Sequence, residues 1–412
     1  MEALRLRRAT NDKEQAAIPK PKSKCSRSMK FHQNIWHLLV VALLSYIIYL
    51  TFSPCVIDPH PYITNFTIPR FEGVLERNYK LQRIEKLFEG KIVGPDSVVQ
   101  DTDGGFYSGL ADGRIVKLYP NGNVEEIART GKLMDNCGTY DTEETCGRPL
   151  GLRFDKTREN LIICDAYYGL LSLNLKNRSI STLITHEEGV DGIPFRFMND
   201  VTIGEGNMIY FTDSSWKWKR IDSRYAVLEA TGRGRVVSFN TETRQRITLL
   251  AGLLIPNGLE ISKDFSFLLV AETTSSRITK YYLKGPKKGK HEVFAENLPG
   301  YPANIRASPT GGYWLGLIAV RKWPFSFLDI AGPYPFLRRL LAKAMSQDTM
   351  TMLIPRYGMI IKLDDNGSII DSLQDPSGAV MDEVTDVFQD PTENAIYLGS
   401  YKHKFLGKLK LS

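Results

Sequence analysis

The sequence predicts an all-β fold, a six-bladed β-propeller, behind one N-terminal transmembrane helix. Three observations carry this reading. Short apolar runs alternate with Gly-rich turn clusters from about residue 92 onward. Variants of one strand–turn–strand unit recur six times along that stretch. A single uncharged apolar run lies ahead of them, at Ile35–Phe52. The composition is compatible: 42% hydrophobic and 24% charged residues in 412 exclude a disordered, collagen-like or multi-span membrane chain.

The first element is a basic tail, residues 1–34. Nine basic and three acidic side chains give it +6 of the chain's net +7. The remainder is close to neutral, which argues against a nucleic-acid-binding face. The run 35–52, IWHLLVVALLSYIIYLTF, follows directly. As a helix, 18 residues span about 27 Å, enough for the hydrocarbon core. Trp36 near one end and Tyr46 and Tyr49 toward the other suit interfacial positions, and Pro54 ends the run. A buried core helix and a cleaved signal peptide are the alternatives; the span and charge pattern weigh against the first, and the long lead and the Ser53-Pro54-Cys55 junction against the second. The basic flank predicts residues 1–34 in the cytosol and everything after Phe52 outside it, a single-pass type II protein of the plasma membrane or endoplasmic reticulum. Residues 53–90 then read as a stalk and 91–412 as the propeller.

That orientation exposes three sequons for glycosylation, at Asn65, Asn177 and Asn366. It also places four cysteines in an oxidising space. Cys137 and Cys146 bracket the polar stretch CGTYDTEETC, which reads as a hairpin loop closed by a disulfide or else as two free thiols. Cys164 reads as a buried strand thiol.

The repeated unit is clearest in GGFYSGLADGRIVKL (104–118). It returns at 160–175, at 207–215 with 234–243, at 266–283, at 311–320 with 358–367, and at 394–411. Quasi-repeats at this spacing suit propeller blades. One segment, 321–355, breaks the pattern. Leu337, Leu340, Leu341, Ala344 and Met345 share a helical face there, with Arg338, Arg339 and Lys343 on others. This insertion is either a helix packed on the propeller, a lid over its central cavity, or a membrane-facing helix.

Oxygen ligands cluster in four short motifs: Asp96 in GPDSV, Asn199 and Asp200 in FMNDV, Asn257 in PNGLEIS and Asn304 in YPANIR. Such hard oxygens suit Ca²⁺. From the residues alone, a turn position accounts for each Asn as well. No zinc-spaced His/Cys set, phosphate loop or Gly-x-Ser-x-Gly elbow is present.

Taken with GVLERNYKL, VGPDSV, ADGRIVKL, CGRPLGLRFD, FMNDVTI, YFTDSS, PNGLEIS and IPRYGMIIKL, residues 55–412 resemble the strictosidine synthase-like family. The resemblance implies a six-bladed propeller and arylesterase-like activity, and the Cys137–Cys146 pair matches a disulfide of the wider family. The family is similar in fold to the paraoxonases and to a calcium-dependent lactonase. Asp96, Asn199, Asn257 and Asn304 match the calcium-ligand positions of those enzymes, implying one Ca²⁺.

The departures concern catalysis. Leu150 stands where paraoxonases place a histidine, and Ala303 where a carboxylate precedes the last ligand Asn. The shorter Asp96 replaces a Glu. Thr385, beside Asp386, stands where strictosidine synthase has its basic Glu, so strictosidine synthesis is not expected. Glu272 of VAETT is the one candidate base, with a structural carboxylate as its alternative reading. Two functions therefore follow as expectations. One is a membrane-anchored, Ca²⁺-assisted hydrolase of small apolar aryl esters. The other is a non-catalytic propeller that binds a protein or glycan partner.

Overall fold

The computed structural model describes residues 24–62, 67–322, 324 and 326–411. The chain divides into two compact units at Pro54. The first contains helix α1, Lys24–Phe52, whose apolar part is Phe31–Phe52. The helix thus begins ahead of the uncharged run, inside the basic segment.

The second unit, Cys55–Ser412, is a ring of six four-stranded antiparallel sheets. From the axis outward, blade one is β2 (Val98–Gln100), β3 (Phe106–Gly109), β4 (Arg114–Leu118) and β5 (Val124–Arg129). Blade two is β6 (Pro149–Phe154), β7 (Asn160–Asp165), β8 (Gly169–Asn174) and β9 (Ile180–Ile184). Blade three is β10 (Met198–Ile203), β11 (Met208–Asp213), β12 (Gly234–Asn240) and β13 (Arg246–Leu253). Blade four is β14 (Pro256–Ile261), β15 (Phe267–Glu272), β16 (Arg277–Tyr282) and β17 (His291–Ala295). Blade five is β18 (Gly300–Ala307), β19 (Tyr313–Val320), β20 (Gly358–Leu363) and β21 (Ile369–Asp375). Blade six is β22 (Asp386–Asp390), β23 (Ala395–Gly399), β24 (Leu406–Lys410) and, outermost, β1 (Glu85–Leu87). Each repeated sequence unit is therefore the central hairpin of one blade, its second and third strands.

These central strands are buried on both faces, which is why they read as continuous apolar runs. Leu268, Leu269, Val270 and Ala271 of β15 are all fully buried. Packing occurs between neighbouring blades: Leu269 and Ile278 of blade four pack with Ile305, Leu315 and Met359 of blade five. Each such Leu or Ile contributes about 1.5–3 kcal/mol. Every buried apolar cluster is built from residues of Cys55–Ser412, so the unit has a core of its own.

The segment 53–90 is not a stalk. Its β1 closes the ring by pairing with β24, Glu85 opposite Lys408 and Leu87 opposite Leu406. Leu81, fully buried, packs among Ile360, Leu373 and Leu398. Gln82 Nε2 donates to Asp375 Oδ1 at 2.9 Å. A three-residue polar strand paired with one more than 300 residues later leaves no local sequence signal.

The axis is tied by charge. Arg306 of β18 lies 2.6 Å from Asp200 Oδ2 of β10 and 2.8 Å from Asp386 Oδ1 of β22. Asp200 Oδ2 also accepts Leu259 N of β14 at 2.9 Å, and Asp386 Oδ2 accepts Val98 N of β2 at 3.0 Å. Arg153 of β6 stands 3.9 Å from Asp200 and 3.6 Å from Glu260 of β14. One buried network thus reaches all six inner strands. Two of these strands approach so closely that only Gly fits at 258: a Cβ there would lie 2.4 Å from Asn304 Cα.

The disulfide is Cys137–Cys146. Its loop is not a hairpin but a 3₁₀ turn, Tyr140–Thr142, running into the short helix α2, Glu143–Cys146. Cys164 is a buried thiol on β7. Asn177 and Asn366 lie exposed in hairpin turns between the third and fourth strands of blades two and five, whereas Asn65 lies outside the described residues.

Candidate functional site

At one end of the axis is a cavity of about 500 Å³. Its floor includes Asp96, Asn199, Asn257 and Thr385, at or beside the starts of inner strands, and Thr273, directly after the second strand β15. Its walls are largely apolar, with Leu150, Phe197, Ile255 and Ile318 among them. Helix α3, Ser223–Glu229, adds Ser223, Arg224, Val227 and Leu228. The disulfide loop adds Tyr140.

The insertion 321–355 supplies the rest. It folds into α4 (Phe327–Ala331), α5 (Pro335–Ala344) and α6 (Gln347–Thr351). Phe327, Leu328, Leu341, Met345, Met350 and Ile354 line the cavity, so the insertion forms one of its walls. The inward face differs from the apolar stripe read from sequence. Ala344 is exposed, whereas Ala342 and Arg338 are buried. Arg338 is inward because it satisfies backbone carbonyls: its guanidinium donates to Leu228 O, Glu229 O, Gly332 O and His60 O.

The floor shares one local design in successive blades. Asn199 Nδ2 donates to Ser214 Oγ at 3.1 Å, and that hydroxyl donates onward to Pro256 O at 2.6 Å. Asn257 Nδ2 stands 3.4 Å from Thr273 Oγ1, which donates to Pro302 O at 2.8 Å. A hydroxyl whose proton is committed to a carbonyl must accept from the amide NH₂. Both amides are thereby held by their nitrogens, and neither oxygen takes part in the relay. Asn304 is 2% exposed and its Oδ1 has no hydrogen-bond partner, although its backbone N–H donates to Thr385 O at 2.9 Å. A buried amide oxygen without a donor is costly and calls for a partner. Thr385 Oγ1 donates to Asp96 O at 2.7 Å and is engaged as a strand tie.

Asp96 is buried, and burial pushes its carboxyl above the ordinary range while Arg148 and Arg220 pull it back. Arg148 Nη2 lies 3.9 Å away and donates to Tyr401 O at 3.2 Å; its Nη1 donates to Gly94 O at 3.0 Å. Arg220 pairs with Glu143 of α2, whose Oε2 accepts the Tyr167 hydroxyl at 3.2 Å. The remaining basic group on the cavity, Arg224, lies with its guanidinium 5.1 Å from the Tyr140 ring centroid.

Asp96, Asn199 and Asn257 thus line one cavity, and Asn304 is brought beside Asn257 by the Gly258 contact. The Asp96 carboxylate and the amide oxygens of the three asparagines are hard donors, a chemistry that suits calcium better than a soft metal. Among the described residues no group of three His, Cys, Asp or Glu stands together as a metal centre, so nitrogen, sulfur or carboxylate-rich sites are not represented.

Glu272 belongs elsewhere. It is fully buried and does not line the cavity. Its Oε1 accepts Arg277 Nε at 2.7 Å and Thr279 Oγ1 at 2.6 Å, and its Oε2 accepts Leu254 N at 3.2 Å and Arg277 Nη2 at 3.1 Å. It ends the second strand of its blade, as Asp165 and Asp213 end theirs. Those two accept Arg148 N at 2.8 Å and Phe197 N at 3.2 Å, just ahead of their own inner strands. Glu272 is thus one of a repeated set of structural carboxylates, which corrects its reading as a base. The polar residue after it, Thr273, and its counterpart Ser214 are the site residues that sequence reasoning missed. Their signal was present, as a hydroxyl directly after the strand-ending carboxylate in VAETT and FTDSS.

The strictosidine synthase sequence profile matches residues 199–286, and the strictosidine synthase-like N-terminal profile matches 73–118. Adipocyte plasma membrane-associated protein of Bos taurus is 42% identical over 375 residues, covering 90% of this chain and 88% of its own. The Homo sapiens protein of the same name is 40% identical, covering 99% and 96%. The chain belongs to the strictosidine synthase-like family. A plant member, strictosidine synthase-like 13 of Arabidopsis thaliana, is 36% identical over 71% of this chain and 75% of its own. Among solved structures, a gluconolactonase of Xanthomonas campestris superposes with a TM-score of 0.55 at 15% identity, covering 87% of this chain and 97% of its own. A calcium-binding protein, regucalcin, of Agrobacterium tumefaciens superposes at 0.51 and 12%, covering 79% and 92%. At these identities the likeness establishes the propeller fold. This family member keeps the fold with Leu150 and Phe197 lining its cavity and Ala303 buried.

Proposed function

We propose that this chain is a membrane-anchored hydrolase of small apolar esters, arylesterase-like, that uses one calcium ion. The single observation carrying the reading is the polar end of the cavity: two lining amides held by their nitrogens through Ser214 and Thr273, with the unpartnered Asn304 Oδ1 beside Asn257, and apolar walls large enough for a small aromatic ester. Asp96, Asn199, Asn257 and Asn304 would hold the ion, which when bound supplies a Lewis acid for an ester carbonyl. The chain's own residues do the rest. Leu150, Phe197 and Ile318 bind the apolar part of the ester. Leu341, Met345 and Met350 of the insertion exclude water from it. The relays through Ser214 and Thr273 hold two of the amides in orientation.

A second reading has its own observation. The described lining residues include no histidine, and Asp96 is their one carboxylate. Leu150 and Thr385 occupy positions where relatives of this fold carry proton-moving groups. This favours a propeller that binds a protein or glycan partner without turnover. Hydrolysis of phenyl acetate by the Cys55–Ser412 unit separates the two. The hydrolase reading expects turnover that chelation abolishes and that Asn257→Ala reduces by about 100-fold or more, the scale of losing an oxyanion-stabilising group. Turnover indifferent to both contradicts the calcium assignment. No turnover of any ester or lactone supports the binding reading.

The anchor is Phe31–Phe52, with the propeller extracellular or lumenal. The basic residues ahead of the apolar run and the exposed sequons support this orientation. Full-length protein expressed in animal cells should therefore carry endoglycosidase-sensitive sugar, lost in the Asn65→Gln, Asn177→Gln, Asn366→Gln triple variant. An unmodified chain would reverse the orientation.

A further inference from the structure

The insertion that walls the cavity also carries Ile330, Tyr334, Phe336, Met352 and Leu353 as exposed large apolar side chains. Exposure reaches 60% at Tyr334, 59% at Phe336 and 82% at Met352. Single exposed apolar residues are ordinary on protein surfaces. Five in one short insertion are not, particularly when the ring elsewhere exposes such residues singly or in pairs. Residues 321–356 also contain six basic and only two acidic side chains, in a propeller otherwise almost neutral.

A second, independent observation says what covers this surface. Cys55, the first residue of the ring unit, places its Sγ 3.7 Å from Arg339 O of α5. Asp58 pairs with the Arg339 side chain, and Ile57 is buried in the cluster containing Leu228 and Ala342. The start of the unit is therefore fixed on α5. Phe52 ends the apolar helix, and only three peptide steps join it to Cys55. The apolar helix and α5 are thus joined through a short stretch of chain.

We propose that the exposed apolar surface of α4–α6 rests on a lipid bilayer, and that the cavity receives its apolar ligand from that bilayer. Tyr334, Phe336 and Met352 enter the boundary between headgroups and acyl chains, where amphipathic helices bury about 5–10 Å. Ile330 and Leu353 are both exposed and part of the cavity lining, so the cavity reaches the surface at the insertion. A ligand dissolved in the membrane would enter without crossing water.

The inference rests on the anchor assigned to Phe31–Phe52 and not on hydrolysis. Its test leaves that helix out. The Cys55–Ser412 unit is floated with phosphatidylcholine vesicles, beside a Phe336→Asp, Met352→Asp double variant. Both replaced side chains are exposed, and a thermal melt verifies that the variant is folded. The expected result is co-flotation of the parent unit and a loss of vesicle partitioning of about tenfold or more in the variant. A parent unit that stays with the soluble fraction at every lipid concentration overturns the inference. So does a variant that floats like the parent. An anchor of reversed orientation would instead appear as an unglycosylated full-length chain, while flotation of the fragment would be unaffected.

Discussion

Replacing Arg306 with Met should destabilise the propeller by about 3–5 kcal/mol, the cost of leaving buried carboxylates without their cation. Asp200 and Asp386 are fully buried and both lie within ion-pair distance of this one guanidinium. Burial works against the charge of Arg306, and the two carboxylates more than restore it. Such a loss is a large share of a typical domain's 5–15 kcal/mol. The pH dependence gives a second readout. Burial raises the Asp200 carboxyl, but Arg306 and Arg153 outweigh it and hold it below the ordinary value. A depressed carboxyl contributes stability above the unfolded pKa of about 4, and that contribution disappears as pH falls through the folded value. Urea midpoints of the parent should therefore fall in acid. The variant, having lost that contribution already, should show a flatter acid limb. Adding Asp200→Asn and Asp386→Asn should recover part of the loss. A single variant as stable as the parent at pH 7 contradicts the axial network's role.

The second large effect belongs to the insertion. Arg338→Met removes the donor to four carbonyls that join α5 to α3, to Gly332 and to the segment at His60. Each buried group left unsatisfied costs about 1–3 kcal/mol. The blades do not depend on this residue, so the loss should appear as local opening. Limited proteolysis should cut the variant within 321–355 at least tenfold faster, while the melting temperature of the ring changes little. Equal cleavage rates would mean that Arg338 does not hold the cavity wall in place.

Much of the fold was legible because the central hairpin of every blade is buried on both sides. An apolar run, a Gly turn and a second apolar run are visible without knowing the partners. Outer strands such as VEEIAR of β5 are half exposed and polar, and they carry no such signal. The closing strand β1 was hidden for the same reason, with its partner at the far end of the chain. At the site, Asp96, Asn199, Asn257 and Asn304 stood out as oxygen-bearing residues in short motifs. Arg306 did not, since its partners Asp200 and Asp386 meet only when the ring closes. Glu272 misled because a strand-ending carboxylate looks the same in sequence whether it faces the cavity or, as here, an arginine and a backbone N–H.

The axial amide oxygens are proposed to form a calcium site. A calcium titration of the melting temperature of the Cys55–Ser412 unit tests it most directly, since no substrate need be known. Binding to the folded state alone stabilises by about 2.7 kcal/mol when calcium reaches 100 times Kd. The expected result is a saturable rise of several degrees from chelator to millimolar calcium, absent in both Asn257→Ala and Asn304→Ala. A melting temperature independent of calcium, or a rise that persists in both variants, would contradict it.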